Sequence, residues 1–320
     1  MTDLLRANGV SVEYSIGKVR KLAIDKVNLS IPSTHFTMGL VGESGSGKTT
    51  LGMALLNLIN RPGKITSGSV EYNGRNVLSM SETELRAYRW KEVAMIFQSA
   101  MNSLNPVKRG ADHITEVIKD HTGSSKSESR EKALKLLAEV GIESEHADDY
   151  PHELSGGMRQ RVVIALALAL SPKLIIADEP TSALDVVVQK QILALMRREI
   201  RERGLSLIFI THDLPILAGL VDHITVMFAG EVVEQGPADK IFTSPLHPYT
   251  EALLSSLLTL DAQNRRPRSL QELRETNKPI AAKGCRYQNR CKYVFERCRT
   301  ERPLLKQVEG GRLTACHKYN

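Results

Sequence analysis

Gly42-Glu43-Ser44-Gly45-Ser46-Gly47-Lys48-Thr49-Thr50 is the stretch whose reading decides the fold. An apolar run, Phe36 to Val41, leads into it, and Leu51-Gly52-Met53-Ala54-Leu55-Leu56 follows. The segment therefore predicts strand, tight loop and helix in succession. Its spacing, G-x-x-x-x-G-K-[ST], is that of loops that cradle nucleoside-triphosphate phosphates. Glycines let backbone N–H groups converge on phosphate oxygens where side chains would obstruct the approach. On this reading Gly42, Ser44, Gly45, Ser46 and Gly47 wrap the phosphates of a nucleoside triphosphate, and Thr50 lies beside them. Lys48 reaches the β- and γ-phosphates, and the Thr49 hydroxyl takes Mg²⁺. The helix opening near Lys48 turns its positive dipole end toward the same charge.

A chain of 320 residues, 42% hydrophobic and 25% charged, suits one large globular domain or a main domain with an appendage. The longest uncharged apolar run, Val162 to Leu170, is too short to span a bilayer. The opening Met1-Thr2-Asp3-Leu4-Leu5-Arg6 lacks the apolar block of a signal peptide, so a cytoplasmic chain is expected. The formal charge of +7 is unevenly spread: residues 261–320 hold fifteen Lys/Arg against six Asp/Glu. A basic tail suits nucleic acid, anionic lipid, an acidic partner surface or simply a solvated face.

All four cysteines, Cys285, Cys291, Cys298 and Cys316, lie in that tail, which in a cytoplasmic protein argues for metal over disulfides. Zinc favours C-x₂₋₄-C pairs, and here five, six and seventeen residues intervene. Wider loops suit a bulkier [4Fe–4S] cluster on four thiolates. The expectation is iron–sulfur, with zinc the alternative and free thiols the third possibility.

Gly9 to Tyr14 and Val27 to Ile31 alternate as half-buried strands do, and Ser69 to Gly74 resembles a strand entering a turn. Together they predict antiparallel strands beside the nucleotide strand. Tyr14 has an aromatic face suited equally to stacking on adenine and to ordinary strand packing. Val93 to Phe97 is a short apolar strand ending at Gln98, and Ser99 to Pro106 is an aperiodic loop. Ile114 to Lys119 and Ser129 to Val140 carry helical spacing, which predicts a helical insertion. Ser155 is placed to cap the helix that begins Gly156-Gly157, leaving open N–H groups for an anion. Leu174 to Pro180 is a buried strand ending in Asp178 and Glu179. Asp178 is suited to Mg²⁺ and Glu179 to polarising an attacking water. His212, at the end of the apolar strand Leu207 to Thr211, is placed for contact with the γ-phosphate.

The order of phosphate loop, Gln98, Leu154-Ser155-Gly156-Gly157, Asp178-Glu179, Ser182-Ala183-Leu184-Asp185 and His212 resembles the ATP-binding-cassette (ABC) ATPases. The match covers residues 1 to about 235. Tyr150 to Arg161, Ser103-Leu104-Asn105-Pro106, Leu246-His247-Pro248-Tyr249-Thr250 and the tail around Cys285 to His317 narrow it to the dipeptide/oligopeptide importer ATPases. Ser99-Ala100 departs from that pattern, where Asp-Pro is frequent. The resemblance implies an α/β fold: a RecA-like core with an antiparallel β subdomain and a helical subdomain at about 99–171, spanning 1–235. A small cysteine-containing extension, 236–320, follows. It implies ATP hydrolysis that powers solute import, with Lys48, Gln98, Glu179 and His212 catalytic. Thr49, Gln98 and Asp178 would hold Mg²⁺, and Ser155, Gly156 and Gly157 would meet the nucleotide of a partner cassette.

The implied partners are a second ATPase subunit, as a heterodimer, two membrane permease subunits and an external solute-binding protein. Nucleic acid is not expected. The implied location is the cytoplasmic side of the membrane, peripherally bound. Oligosaccharide import is the alternative cargo. A soluble cassette ATPase acting on nucleic acid or ribosomes is the competing class, which the single cassette and the lack of a coiled-coil insertion disfavour.

Overall fold

The computed structural model describes residues 3–17, 19–32, 35–98, 101, 103–258 and 280–319. Two compact units are interleaved along the chain. One gathers Met1–Leu5, Ile31–Phe36 and Glu71–Ile210; the other gathers Arg6–Ser30, Thr37–Val70 and Thr211–Asn320.

The second of these carries the phosphate loop. Strands β1 (Leu5–Ile16), β2 (Val19–Ile31) and β4 (Gly63–Tyr72) lie side by side in the order β2-β1-β4. Both β1 and β2 run well beyond the alternating segments of the sequence. Of their extra residues, Ser15 and Val19 to Leu22 are exposed and so leave no hydrophobic pattern. After β4 the chain turns through Asn73 and Gly74, both at positive φ, into β5 (Arg75–Asn76). That is the backbone a two-residue hairpin needs.

A second sheet begins with β3 (Thr37–Val41), which pairs in parallel with β9 (His223–Phe228). β10 (Glu231–Pro237) is antiparallel to β9, β12 (Arg312–Thr314) to β10, and β11 (Lys306–Val308) to β12. Every residue of β3 is buried, as a parallel strand covered on both faces must be. Burying a side chain such as Leu40 is worth roughly 1.5–3 kcal/mol. Three helices belong here: α1 (Lys48–Leu55), and after the other unit α7 (Ala238–Thr243) and α8 (Pro248–Leu258).

The other unit holds β6 (Val93–Ile96), β7 (Leu174–Asp178) and β8 (Ser206–Thr211), parallel in the order β6-β7-β8. Helix α2 (Glu82–Tyr88) precedes β6, and α6 (Val186–Arg203) joins β7 to β8. Between β6 and β7 come α3 (Gly110–Thr122), α4 (Lys126–Glu139) and α5 (Gly156–Leu168), packed on one another as the predicted helical insertion. α3 stops at Gly123, φ 71°, and Ser125 starts α4 with a capping box. Buried Ala133, Leu136 and Leu137 then recur at helical spacing. Among the described residues no helix is long and apolar enough to cross a membrane.

Candidate functional site

β3 ends at Val41 and the chain turns at once through Gly42, Gly45 and Gly47, at φ 156°, 78° and 101°. Two of these glycines admit no side chain. A Cβ on Gly42 would stand 2.1 Å from the Met227 carbonyl oxygen, and one on Gly47 would stand 2.6 Å from that of Ala23. The loop is closed by the Gly230 amide, which donates to the Ser46 carbonyl over 2.9 Å.

Lys48 is buried inside this turn. Its Nζ donates to the carbonyls of Gly42 (2.7 Å) and Glu43 (2.9 Å) and to Ser46 Oγ (3.4 Å). A buried ammonium surrounded by neutral oxygens is a favourable place for an anion. Ser44, Gly45 and Thr49 are exposed, Thr50 is half-buried, and Ser46 is buried. In the same unit Tyr14 is half-buried and its ring edge lies against Gly63, an ordinary strand contact. His212 is exposed directly after β8.

In the other unit Asp178 ends β7 and is buried. Glu179 follows at φ 46°, its amide donating to the Ile210 carbonyl over 2.9 Å. Gln98 Nε2 donates to Glu179 Oε2 over 3.0 Å, so two predicted site residues, 81 positions apart, meet here. Ser155 caps α5, its hydroxyl accepting from the Met158 amide at 3.2 Å. Gly157 lies so near Val188 of α6 that a Cβ would come within 2.8 Å of Cγ1. Asp185 caps α6 by accepting from the Val187 and Val188 amides. Ser99 and Ala100 fall outside the described residues.

The cysteine expectation needs correction. Cys285, Cys291, Cys298 and Cys316 do line one cavity, with His247 and Tyr287. That space is about 20 Å³, room for roughly one water. Among the described residues no three His, Cys, Asp or Glu side chains are arranged to hold a metal ion. Burial pushes the Cys285 thiol up to about 11 and also raises those of Cys291 and Cys316. With no metal-holding group of side chains among the described residues, the [4Fe–4S] assignment, and zinc with it, is withdrawn. Spacing brought the cysteines into one packed appendage without making a ligand cage.

Sequence reasoning missed a set of arginines in the tail. Arg286 and Arg302 both reach Asp25, at 2.6 and 2.9 Å, and Glu231, at 3.3 and 3.2 Å. Arg290 reaches Glu43 of the phosphate loop at 2.9 Å. The surplus of positive charge was visible, but its acidic complement lies up to 277 positions away.

Comparison with known proteins agrees with this geometry. Residues 24–182 match the ABC transporter family, and residues 233–298 match the oligopeptide/dipeptide transporter C-terminal region. The chain is 43% identical over 316 residues to the dipeptide transport ATP-binding protein DppD of Escherichia coli (strain K12), covering 98% of this chain and 96% of that one. It is 40% identical over 322 residues to the oligopeptide transport ATP-binding protein AppD of Bacillus subtilis (strain 168), covering 100% and 98%. Among solved structures it is similar to the ATP-binding cassette MJ0796 in a dimeric post-hydrolysis state bound to ADP and Pi. That likeness has a TM-score of 0.64 at 30% identity, covering 73% of this chain and 98% of that one. The chain is therefore a member of the ABC transporter family, among its dipeptide/oligopeptide importer ATP-binding subunits.

Proposed function

We propose that this protein hydrolyses ATP to drive import of di- or oligopeptides through a membrane transporter. The observation that carries the reading is the glycine cradle around buried Lys48, in a chain so similar over its length to peptide-transport ATP-binding proteins. In this proposal Gly42 to Thr50 hold the phosphates and Lys48 exchanges its loop carbonyls for phosphate oxygens. Gln98 orients Glu179, which takes a proton from the attacking water, and His212 steadies the γ-phosphate. Tyr14 offers its ring to the adenine.

Thr49, Gln98 and Asp178 offer hard oxygen donors, the set that suits Mg²⁺. When bound, that ion neutralises charge on the β- and γ-phosphates. Ser155, Gly156 and Gly157 are assigned to the nucleotide of a partner cassette, so that two subunits, in our reading different ones, form each site. The same reading divides the chain near residue 235 between cassette and extension. It adds two permease subunits and an external binding protein, and it places the protein peripherally on the cytoplasmic face of the membrane.

The test is a nucleotide titration with turnover measured alongside. Lys48→Ala should weaken ATP binding at least about tenfold, as loss of a charge-assisted phosphate contact does. Unchanged affinity would overturn the phosphate-loop assignment. Turnover should rise when partner cassette and permease subunits are added; a fully active isolated monomer would refute the two-subunit site.

A further inference from the structure

Glu43 is the second residue of the phosphate loop, and it is held on three sides within one unit. Its carbonyl accepts from Lys48 Nζ at 2.9 Å. Its amide donates to the Tyr249 hydroxyl at 2.8 Å, although Tyr249 lies 206 positions later on α8. Its carboxylate receives Arg290 Nη1 at 2.9 and 3.2 Å, from the cysteine-bearing appendage.

None of these partners is loosely placed. Tyr249 is buried, and the Arg290 side chain is 17% exposed. The guanidinium carbon lies 5.4 Å from the Phe228 ring centroid, within range of a cation–π contact. Phe228 in turn meets Tyr249 and Tyr287 at 4.7 and 5.2 Å between centroids. Arg290 is thus backed by an aromatic wall at the end of β9 and pointed at the loop.

We infer that Arg290 and Tyr249 are positioning residues for the nucleotide site. Together they fix Glu43, and with it the loop that surrounds the lysine that must meet the phosphates. The appendage after residue 280 then sets nucleotide affinity without touching nucleotide. A loop held in its binding shape before ligand arrives loses less freedom on binding. Without Arg290, Glu43 keeps its backbone bonds but its side chain no longer pins the loop. The inference rests on the phosphate-loop reading above.

The experiment measures binding of a fluorescent ATP analogue to the full chain, for the parent and for Arg290→Gln, Glu43→Gln, the double variant, Arg290→Lys and Lys48→Ala. Arg290→Gln and Glu43→Gln should each weaken binding about 3–10-fold, less than the full worth of a charged hydrogen bond because the contact acts on nucleotide only through the loop. The double variant should be no worse than either single one, since both break the same contact. Arg290→Lys keeps the charge and should recover most of the affinity. A general packing role for Arg290 predicts neither the non-additivity nor the rescue. Parent-level affinity in both Gln variants, with Lys48→Ala impaired, would overturn this inference and leave the phosphate loop standing. Additive losses would overturn it too. If Arg290→Gln does not fold, Glu43→Gln alone decides. Lys48→Ala binding as well as the parent would remove the phosphate-loop reading itself.

Discussion

Glu179 holds a backbone angle, φ 46°, that costs a non-glycine residue of order 1–3 kcal/mol. Surrounding bonds keep it there: its amide donates to Ile210, and its carbonyl accepts from the Ser182 amide and hydroxyl. The reward for this strain is the direction of the carboxylate, toward Gln98. Glu179→Gln preserves shape and hydrogen bonding but removes the proposed base. It should bind ATP as the parent does and turn over at least about 10²-fold more slowly in the assembled transporter. Parent-rate hydrolysis would exclude the role. Glu179→Gly should unfold at no lower a temperature than the parent while also losing turnover, because glycine takes positive φ freely. The Asp178-Glu179 pair was legible in the sequence as a strand end with two carboxylates. The strain was not, because it depends on a hydrogen bond donated to a carbonyl of a neighbouring strand.

Helix α8 begins at Pro248, and the residue before it supplies the cap: His247 Nδ1 accepts from the Tyr249 amide at 3.1 Å. An imidazole can accept there only when neutral. Full burial agrees, pushing the His247 pKa down to about 3. The folded state therefore refuses a proton that the unfolded chain takes up near pH 6.5. The resulting stability is fully present above pH 6.5 and is lost as pH falls from there toward 3. The slope from this group is about 1.4 kcal/mol per pH unit. Urea midpoints at pH 7, 6 and 5 should drop accordingly, and His247→Gln should flatten that decline. An equally steep decline in the variant would assign it to other groups. Leu246 to Thr250 stood out in the sequence only through family likeness. Its physical work also involves Glu234, whose carboxylate accepts from the Leu246 and His247 amides across twelve and thirteen positions. No local pattern reveals such a partner, whereas the capping boxes of α2 and α4 are complete within four consecutive residues.

At the scale of the molecule, the appendage is attached through charge. Arg286 and Asp25 are 12% and 14% exposed, and Glu231 completes the group, its own carboxyl raised by burial even with Arg286 and Arg302 beside it. Removing one partner of such a cluster leaves acids poorly solvated. Arg286→Ala should cost about 3–5 kcal/mol in urea unfolding, and amide exchange in 280–319 should rise ahead of the rest. Uniform exchange throughout would show that the arginine does not hold the appendage in place. Composition alone exposed the excess of arginine and lysine here. The likeness to importer ATPases exposed the cassette. Neither could pair Arg290 with Glu43, since that contact exists only once β9, α8 and the appendage have come together.

β10 receives β12 as its outer neighbour, through Glu234 with Thr314 and Gln235 with Leu313. The two strands are about 75 residues apart in the chain. A ribosome adding about 5–20 residues per second takes roughly 4–15 s to cover that distance. For those seconds β10 stands as a bare strand edge, the kind of surface that recruits other chains. The newborn protein thus carries that open edge until the chain beyond residue 312 arrives.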